Sequence, residues 1–157
     1  CDPASVREAC QLAGEDAAII STLGNNNANY QGNRLIIDTA EQLGLKRMLL
    51  VTSIGCGDSW PTLSPAARAA FGQAVREKSL AESWLQTSNL IYTLIRPGGL
   101  LDQPATGNAI RLQTEAHGMV TRADVAHHIS QMIEDPATYY QAYALIEPGL
   151  ARKVKMN

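Results

Sequence analysis

No segment of this chain approaches the roughly 20 consecutive apolar residues that a bilayer-spanning helix needs, so no transmembrane helix is predicted. Nor is there an excess of one charge. The 13 Lys and Arg against 15 Asp and Glu leave a formal net charge of −2, which gives no electrostatic case for a nucleic-acid partner. The basic tail Arg152, Lys153 and Lys155 reads as a solvated end rather than a binding patch. Cys1, Cys10 and Cys56 are an odd number without CxxC spacing. That argues against a disulfide framework and a zinc site, and makes a reducing cytoplasm the expected setting. His117, His127 and His128 show neither HxxxH nor HExxH spacing, so no metal site is expected. There is no P-loop of the form GxxxxGKS or GxxxxGKT, no internal repeat and no linker dividing the chain. An initiator methionine and a signal peptide are also missing. The chain opens at Cys1-Asp2-Pro3, already the entry to a helix, and so reads as processed or truncated.

What is present is an ordinary globular composition, 45% hydrophobic and 18% charged over 157 residues, enough for one domain-sized core. Asp2 as N-cap and Pro3 at N1 open a helix that sets Val6, Ala9, Cys10 and Ala13 on one face and stops at Gly14. The apolar run 17–23 fits a buried parallel strand ending at Gly24. Leu35, Ile36, Ala40 and Leu43 recur at helical spacing, with Gly44 where a left-handed helix-ending residue belongs and Leu45 just beyond. A second strand follows over 48–53, then a loop over 54–63. Ser64 and Pro65 open the longest helix, to about Thr87. A third strand covers 90–95, and residues 101–118 read as loop. Thr121 and Asp124 match a capping box that starts a helix carrying Val125, Ile129, Met132 and Ile133. A last strand covers 143–146. This alternation predicts an α/β fold, a parallel sheet with helices on its faces, in one domain or part of one.

Ligands of open parallel sheets gather outside the carboxyl ends of the strands. Those ends are Ser21-Thr22-Leu23-Gly24, Thr52-Ser53-Ile54-Gly55, Arg96-Pro97-Gly98-Gly99 and the loop after Ile146. Gly55-Cys56-Gly57 is not the start of a GxGxxG fingerprint, because Trp60 stands at its third position and Pro61 and Pro65 interrupt any immediate helix. The most informative residue is Lys78. It interrupts an apolar stripe of Ala67, Ala70, Phe71, Ala74, Val75, Ala81, Trp84 and Leu85. Its ammonium either snorkels to water along its stem or reaches the strand-end crevice to bond a ribose hydroxyl or assist proton transfer. Ser53 is either a hydroxyl donor at a catalytic strand end or a partner for loose backbone groups. Nothing near Cys56 in sequence would lower its pKa, so it reads as an inert thiol.

The segments Asp2-Pro3-Ala4-Ser5-Val6, Ile20 to Gly24, Val51 to Gly55, Tyr92 to Leu100 (YTLIRPGGL) and Thr121 to Ala126 (TRADVA) together resemble the atypical short-chain dehydrogenase/reductase proteins. The NmrA-like, flavin-reductase-like branch matches best, in order and over essentially the whole chain. The resemblance implies a Rossmann-type three-layer sandwich of which about four strands and four helices are retained. Residues 1–157 would be the carboxy-terminal part of a single NAD(P)-binding domain. It implies NADP or NAD as cofactor, a small-molecule substrate and hydride transfer. Thr22, Leu23 and Gly24 take the adenosine-side strand end, with Thr52 beside them on the next. Ser53 takes the active-site serine position, Lys78 the lysine of the YxxxK pair, and Pro97, Gly98 and Gly99 the strand end near the nicotinamide. The family's tyrosine falls at Ala74, so its general acid is missing. Its first strand, glycine-rich turn and next two strands belong ahead of Asp2, roughly 60 residues in two βαβ-sized pieces. Their absence would leave an open sheet edge and a possible route to homo-oligomers. A non-catalytic dinucleotide sensor that binds a protein partner and an inactive self-associating fragment are the alternatives.

Overall fold

The computed structural model describes residues 2–25 and 28–151; the basic tail and Cys1 lie outside them. Capping chemistry sets the helix boundaries. Asp2 accepts the Ser5 amide at 2.9 Å, with Pro3 in the first turn, and α1 runs Pro3–Ala13 to Gly14 at φ +85°. Strand β1 (Ala18–Ser21) leads to α2 (Gln31–Gln42). That helix ends as its glycine predicts. Gly44 has φ +76°, its amide donates to the Glu41 carbonyl, and the Leu45 amide reaches back to Ala40 at 3.0 Å. This is a Schellman closure with Leu45 buried behind it. Strand β2 (Arg47–Val51) is followed by a 3-10 segment, Gly57–Thr62, and by α3 (Pro65–Gln86), whose N-cap Ser64 accepts the Ala67 amide. Then come β3 (Ile91–Pro97), β4 (Gly99–Leu101), β5 (Ile110–Leu112), β6 (Met119–Thr121), α4 (Arg122–Met132) and β7 (Gln141–Ile146).

The main sheet has the order β1-β2-β3-β7-β5. Its first four strands are parallel, with Ile19 beside Met48 and Leu50 beside Leu94. The apolar runs of β2 and β3 are continuous because alternate residues feed two different cores. Met48, Leu50 and Leu94 pack under α1, α2 and α3 with Ile37, Ala40, Ala81 and Leu85. Leu49, Ile95 and Leu145 face the other way, against Val125, Ile129 and Met132 of α4. The three layers are thus helices, sheet and α4, a Rossmann-type α/β sandwich. Strand β1 is an edge of the sheet, with Ile20 45% exposed.

Three sequence expectations need correction. Residues 101–118 are not all loop: β5 pairs antiparallel with β7, and β4 pairs with β6 in a small second sheet. Three-residue strands are too short to show a period. On α1, Val6 and Cys10 turn inward, while Ala9 and Ala13 stay in water because the helix covers the sheet only at its margin. On α3, Ala70 and Phe71 (61% exposed) point outward, and the buried stripe is Gly72, Val75, Ala81, Glu82 and Leu85. The first turns of α3 rest on the 3-10 segment and its flanks, where Val75 meets Cys56 and Leu63, with Trp60 and Ala67 alongside.

Candidate functional site

The carboxyl ends of β1 and β2 open into a cavity of about 480 Å³. Thr22, Gly24 and Asn25 line it from the end of β1, and Val51 and Thr52 from the end of β2. Lys78 enters from α3 on one face of the sheet and Arg122 from α4 on the other, with Leu100 between them. The floor is apolar, from Val125, Ala126 and Ile129.

Lys78 is half-buried, and its Nζ donates to the Thr52 carbonyl at 3.3 Å beside this cavity. An alanine methyl at Gly24 would lie 4.0 Å from the same ammonium. Four of the residues singled out in the sequence, Thr22, Gly24, Thr52 and Lys78, therefore share one cavity. The others do not line it. Leu23 is half-buried beside it, its amide 3.5 Å from Ser21 Oγ. Ser53 spends its hydroxyl proton on the Ile54 carbonyl at 2.9 Å. Pro97 and Gly98 are buried in the sheet. A side chain at Gly98 would collide with the Gly118 carbonyl, and one at Gly99 would meet the Met119 sulfur at 2.6 Å. These two glycines are explained by close chain crossing.

Beneath the cavity lies a network the sequence reading missed. Arg96, at the end of β3, grips the buried Glu82 carboxylate with both Nε (3.0 Å) and a terminal nitrogen (2.7 Å). Its other nitrogen reaches exposed Asp58 at 2.7 Å. Thr52 Oγ1 donates to Glu82 Oε1 at 2.6 Å. Burial opposes charge on Arg96, but the Glu82 and Asp58 contacts outweigh it and raise its pKa. Spacing gives no signal for the pair, because Glu82 and Arg96 stand 14 residues apart on different elements. Gly57, at φ +56°, has its place set here too, because a Cβ would come within 2.7 Å of the Arg96 guanidinium. Cys56 sits alongside as an inert thiol, pushed up to about 11 by burial and by the Glu82 charge.

A second polar cluster closes the far side. Asp124, at the third position of α4, accepts the Thr106 and Gly107 amides at 3.0 Å each and the Thr121 hydroxyl at 2.7 Å. Burial would raise its pKa, but these donors hold the carboxyl down at about 2. The TRADVA motif is therefore a clamp. It caps α4 and pins the 106–107 turn, and Thr106 Oγ1 also donates to Glu147 just past β7. Among the described residues no three His, Cys, Asp or Glu side chains are grouped as a metal ion would need. No described helix is long and apolar enough to cross a membrane.

A parallel sheet with an open, partly cationic crevice at its strand ends defines a Rossmann-type nucleotide-binding protein. The chain belongs to the NAD(P)H-binding family, whose pattern matches residues 1–136. That bears out the resemblance to the atypical short-chain dehydrogenase/reductase group and its nicotinamide dinucleotide cofactor. The chain is similar to the anaerobillin reductase ChuY of Escherichia coli O157:H7, at 59% identity and a TM-score of 0.93 over 97% of this chain and 74% of that one. It is 29% identical over 143 residues to the uncharacterized sugar epimerase YhfK of Bacillus subtilis, covering 83% of this chain and 63% of that protein. To sanguinarine reductase of Eschscholzia californica it is 34% identical over 125 residues, 74% of this chain and 44% of the other. The chain thus spans less than two thirds of the length of these two curated relatives.

The residues present fit part of such a cofactor. Gly24 lets the backbone lie beside the Lys78 ammonium, and Arg122, paired with Asp102 at 2.7 Å, adds a second cation to the lining. A glycine-rich turn of the GxGxxG kind, which would seat a pyrophosphate on a helix N-terminus, is not among the described residues.

Proposed function

We propose that the chain is the carboxy-terminal part of a single Rossmann-type domain in an NAD(P)-dependent oxidoreductase that reduces a small organic acceptor. The observation that carries this reading is Lys78, drawn out of an otherwise packed helix to the Thr52 carbonyl at the cavity mouth. Two relatives are named as reductases, which supports the same class of activity. When bound, NAD(P)H supplies a hydride donor. The chain's own residues do the remaining work. Lys78, Thr52, Thr22, Leu23 and Gly24 bind and orient the cofactor, and the Pro97-Gly98-Gly99 crossing shapes the wall beside it. Ser53 polarises the acceptor once its hydroxyl turns away from the Ile54 carbonyl. Leu100, Val125 and Ile129 keep water from the apolar side.

Ala74 has no proton to give, so protonation of the product falls to Ser53, the acceptor itself or water. The same alanine favours a second reading, a dinucleotide sensor that binds without turnover. Cys10 and Cys56, free and buried, support a reducing, cytoplasmic setting. The open β1 edge supports self-association by strand pairing, which light scattering of the purified chain would measure.

The test is a fluorescence titration of the purified chain with NADPH and NADH, followed by turnover with quinones, flavins and aldehydes. Saturable binding with oxidation of the cofactor is the expected result. Binding without turnover would favour the sensor, and no binding at millimolar cofactor would overturn the assignment for this chain.

A further inference from the structure

Ser53 stands at the head of a tight turn. The Cys56 amide donates to the Ser53 carbonyl at 3.2 Å, Gly55 has φ +86°, and Ile54 is not among the residues at positive φ. That combination is a type II turn, with the Ile54–Gly55 peptide across its top. Both groups of this peptide are taken up by side chains. The Ser53 hydroxyl donates to the Ile54 carbonyl at 2.9 Å, and the Gly55 amide donates to Glu115 Oε1 at 3.2 Å. The turn is otherwise fixed by backbone, since the Ile54 amide donates to the Pro97 carbonyl at 3.1 Å. The central peptide therefore depends on Ser53 and Glu115 for its orientation, and glycine at its end permits more than one.

Glu115 lies 60 residues beyond Gly55, half-buried in the segment between β5 and β6. That segment is anchored at its far end, where the Gly99 amide donates to the Gly118 carbonyl at 2.9 Å. Between these points His117 Nε2 lies 3.0 Å from Thr62 Oγ1. The segment is thus a strap from the end of β3 to the loop after β2, the two strand ends that carry Pro97 and Ser53. A peptide is planar, with its N–H and C=O on opposite sides. By drawing the Gly55 N–H to one side, Glu115 presents the Ile54 carbonyl to the other, where Ser53 spends its proton. A carboxylate on the N–H also polarises the peptide and makes its carbonyl a stronger acceptor.

We propose that Glu115 is a positioning residue that acts on Ser53 through the Ile54–Gly55 peptide and latches its hydroxyl away from the acceptor. This rests on the reading above, in which Ser53 polarises the acceptor. An acceptor that enters beside Ser53 and draws Glu115 off Gly55 lets the peptide turn. The hydroxyl is then free to donate to the acceptor, so the strap couples acceptor entry to the readiness of Ser53.

Glu115→Ala is the sharpest test. It removes one half-buried hydrogen bond, so the variant folds and should melt within a few degrees of the parent. In the chain without cofactor, its Gly55 amide should exchange hydrogen at least about tenfold faster than the parent's, with the Cys56 amide unchanged. Glu115→Gln, which keeps an oxygen for the amide but not the charge, should fall between. Turnover is read as NADPH oxidation with the best of the quinone, flavin and aldehyde acceptors. There Glu115→Ala should raise kcat/KM for the acceptor about tenfold. In a Ser53→Ala background the same substitution should change nothing, because its effect passes through Ser53. Unaltered Gly55 exchange, a kcat/KM that stays level or falls, or an equal gain with and without Ser53 would each overturn the latch and leave the oxidoreductase reading standing. A parent chain that oxidises neither NADPH nor NADH overturns that reading and the latch with it.

Discussion

Arg47 and Arg96 are both buried arginines on neighbouring strands, at opposite ends of the sheet, and they are satisfied by opposite means. At the carboxyl end Arg96 is neutralised by carboxylates, Glu82 in a two-pronged contact and Asp58 at the surface. At the amino end Arg47 touches no carboxylate among the described residues. Its guanidinium donates to the carbonyls of Ile91, Met132 and Ile133 and to the Thr93 hydroxyl, and lies 4.5 Å from the Tyr139 ring centre. Burial accordingly lowers the Arg47 pKa, partly offset by Tyr139, whereas Arg96 is raised despite its burial. The difference follows from what each end must do. Arg47 collects the orphan carbonyls at the end of α4, which a neutral side chain could not do so fully. Arg96 holds Glu82, Glu82 holds Thr52, and Thr52 holds Lys78, so a structural ion pair reaches the cavity through two hydrogen bonds. One end uses the cation as a cap, the other as the base of a site.

Removing one partner at a time should separate these roles. Glu82→Gln leaves Arg96 buried with only exposed Asp58, and should lose about 3–5 kcal/mol in urea denaturation. Replacing Glu82 and Arg96 together with Leu and Met should restore most of that stability. A Glu82→Gln variant within 1 kcal/mol of the parent would mean that water enters the pair. Arg47→Met should cost about 1–3 kcal/mol in the same experiment, by leaving carbonyls unpaired, and should not change dinucleotide affinity. Thr52→Val removes the hydroxyl held by Glu82 but keeps the carbonyl held by Lys78. It should cost about 1 kcal/mol and weaken binding less than Lys78→Met, which should lose at least about tenfold in affinity with little change in melting.

The smallest effect concerns Asp124, the mirror of Arg47: a buried anion held by neutral donors rather than by a cation. Its folded pKa of about 2 lies below the ordinary value of 3.8, so it favours the folded state above pH 3.8 and loses that contribution as pH falls through about 2. Acid denaturation of Asp124→Asn should therefore show a shallower loss of stability over that window than the parent. An identical acid limb would place the acid sensitivity elsewhere.

Much of this was legible residue by residue. Asp2-Pro3, Ser64-Pro65, Thr121 with Asp124, and Gly44-Leu45 marked helix ends correctly, because capping is local chemistry between residues three to five apart. Lys78 stood out because a charge in an apolar stripe needs a partner. The Glu82–Arg96 pair went unread because its members are 14 residues apart on different elements, and β5 because its strength lies wholly in its antiparallel partner. The resemblance places Pro97, Gly98 and Gly99 at the strand end near the nicotinamide, and the structure adds a packing reason for Gly98 and Gly99 that only the approach of Gly118 and Met119 reveals.

By itself the sequence determined the alternation of strands and helices, the parallel sheet and the helix caps, since these depend on periodicity and short-range bonding, while the family rested on the resemblance of motifs such as YTLIRPGGL and TRADVA. Only the tertiary structure decided which strand ends share a cavity and which glycines serve packing. It also set the Arg96 pair. Those outcomes depend on distances between elements far apart in the chain, which neither composition nor spacing encodes.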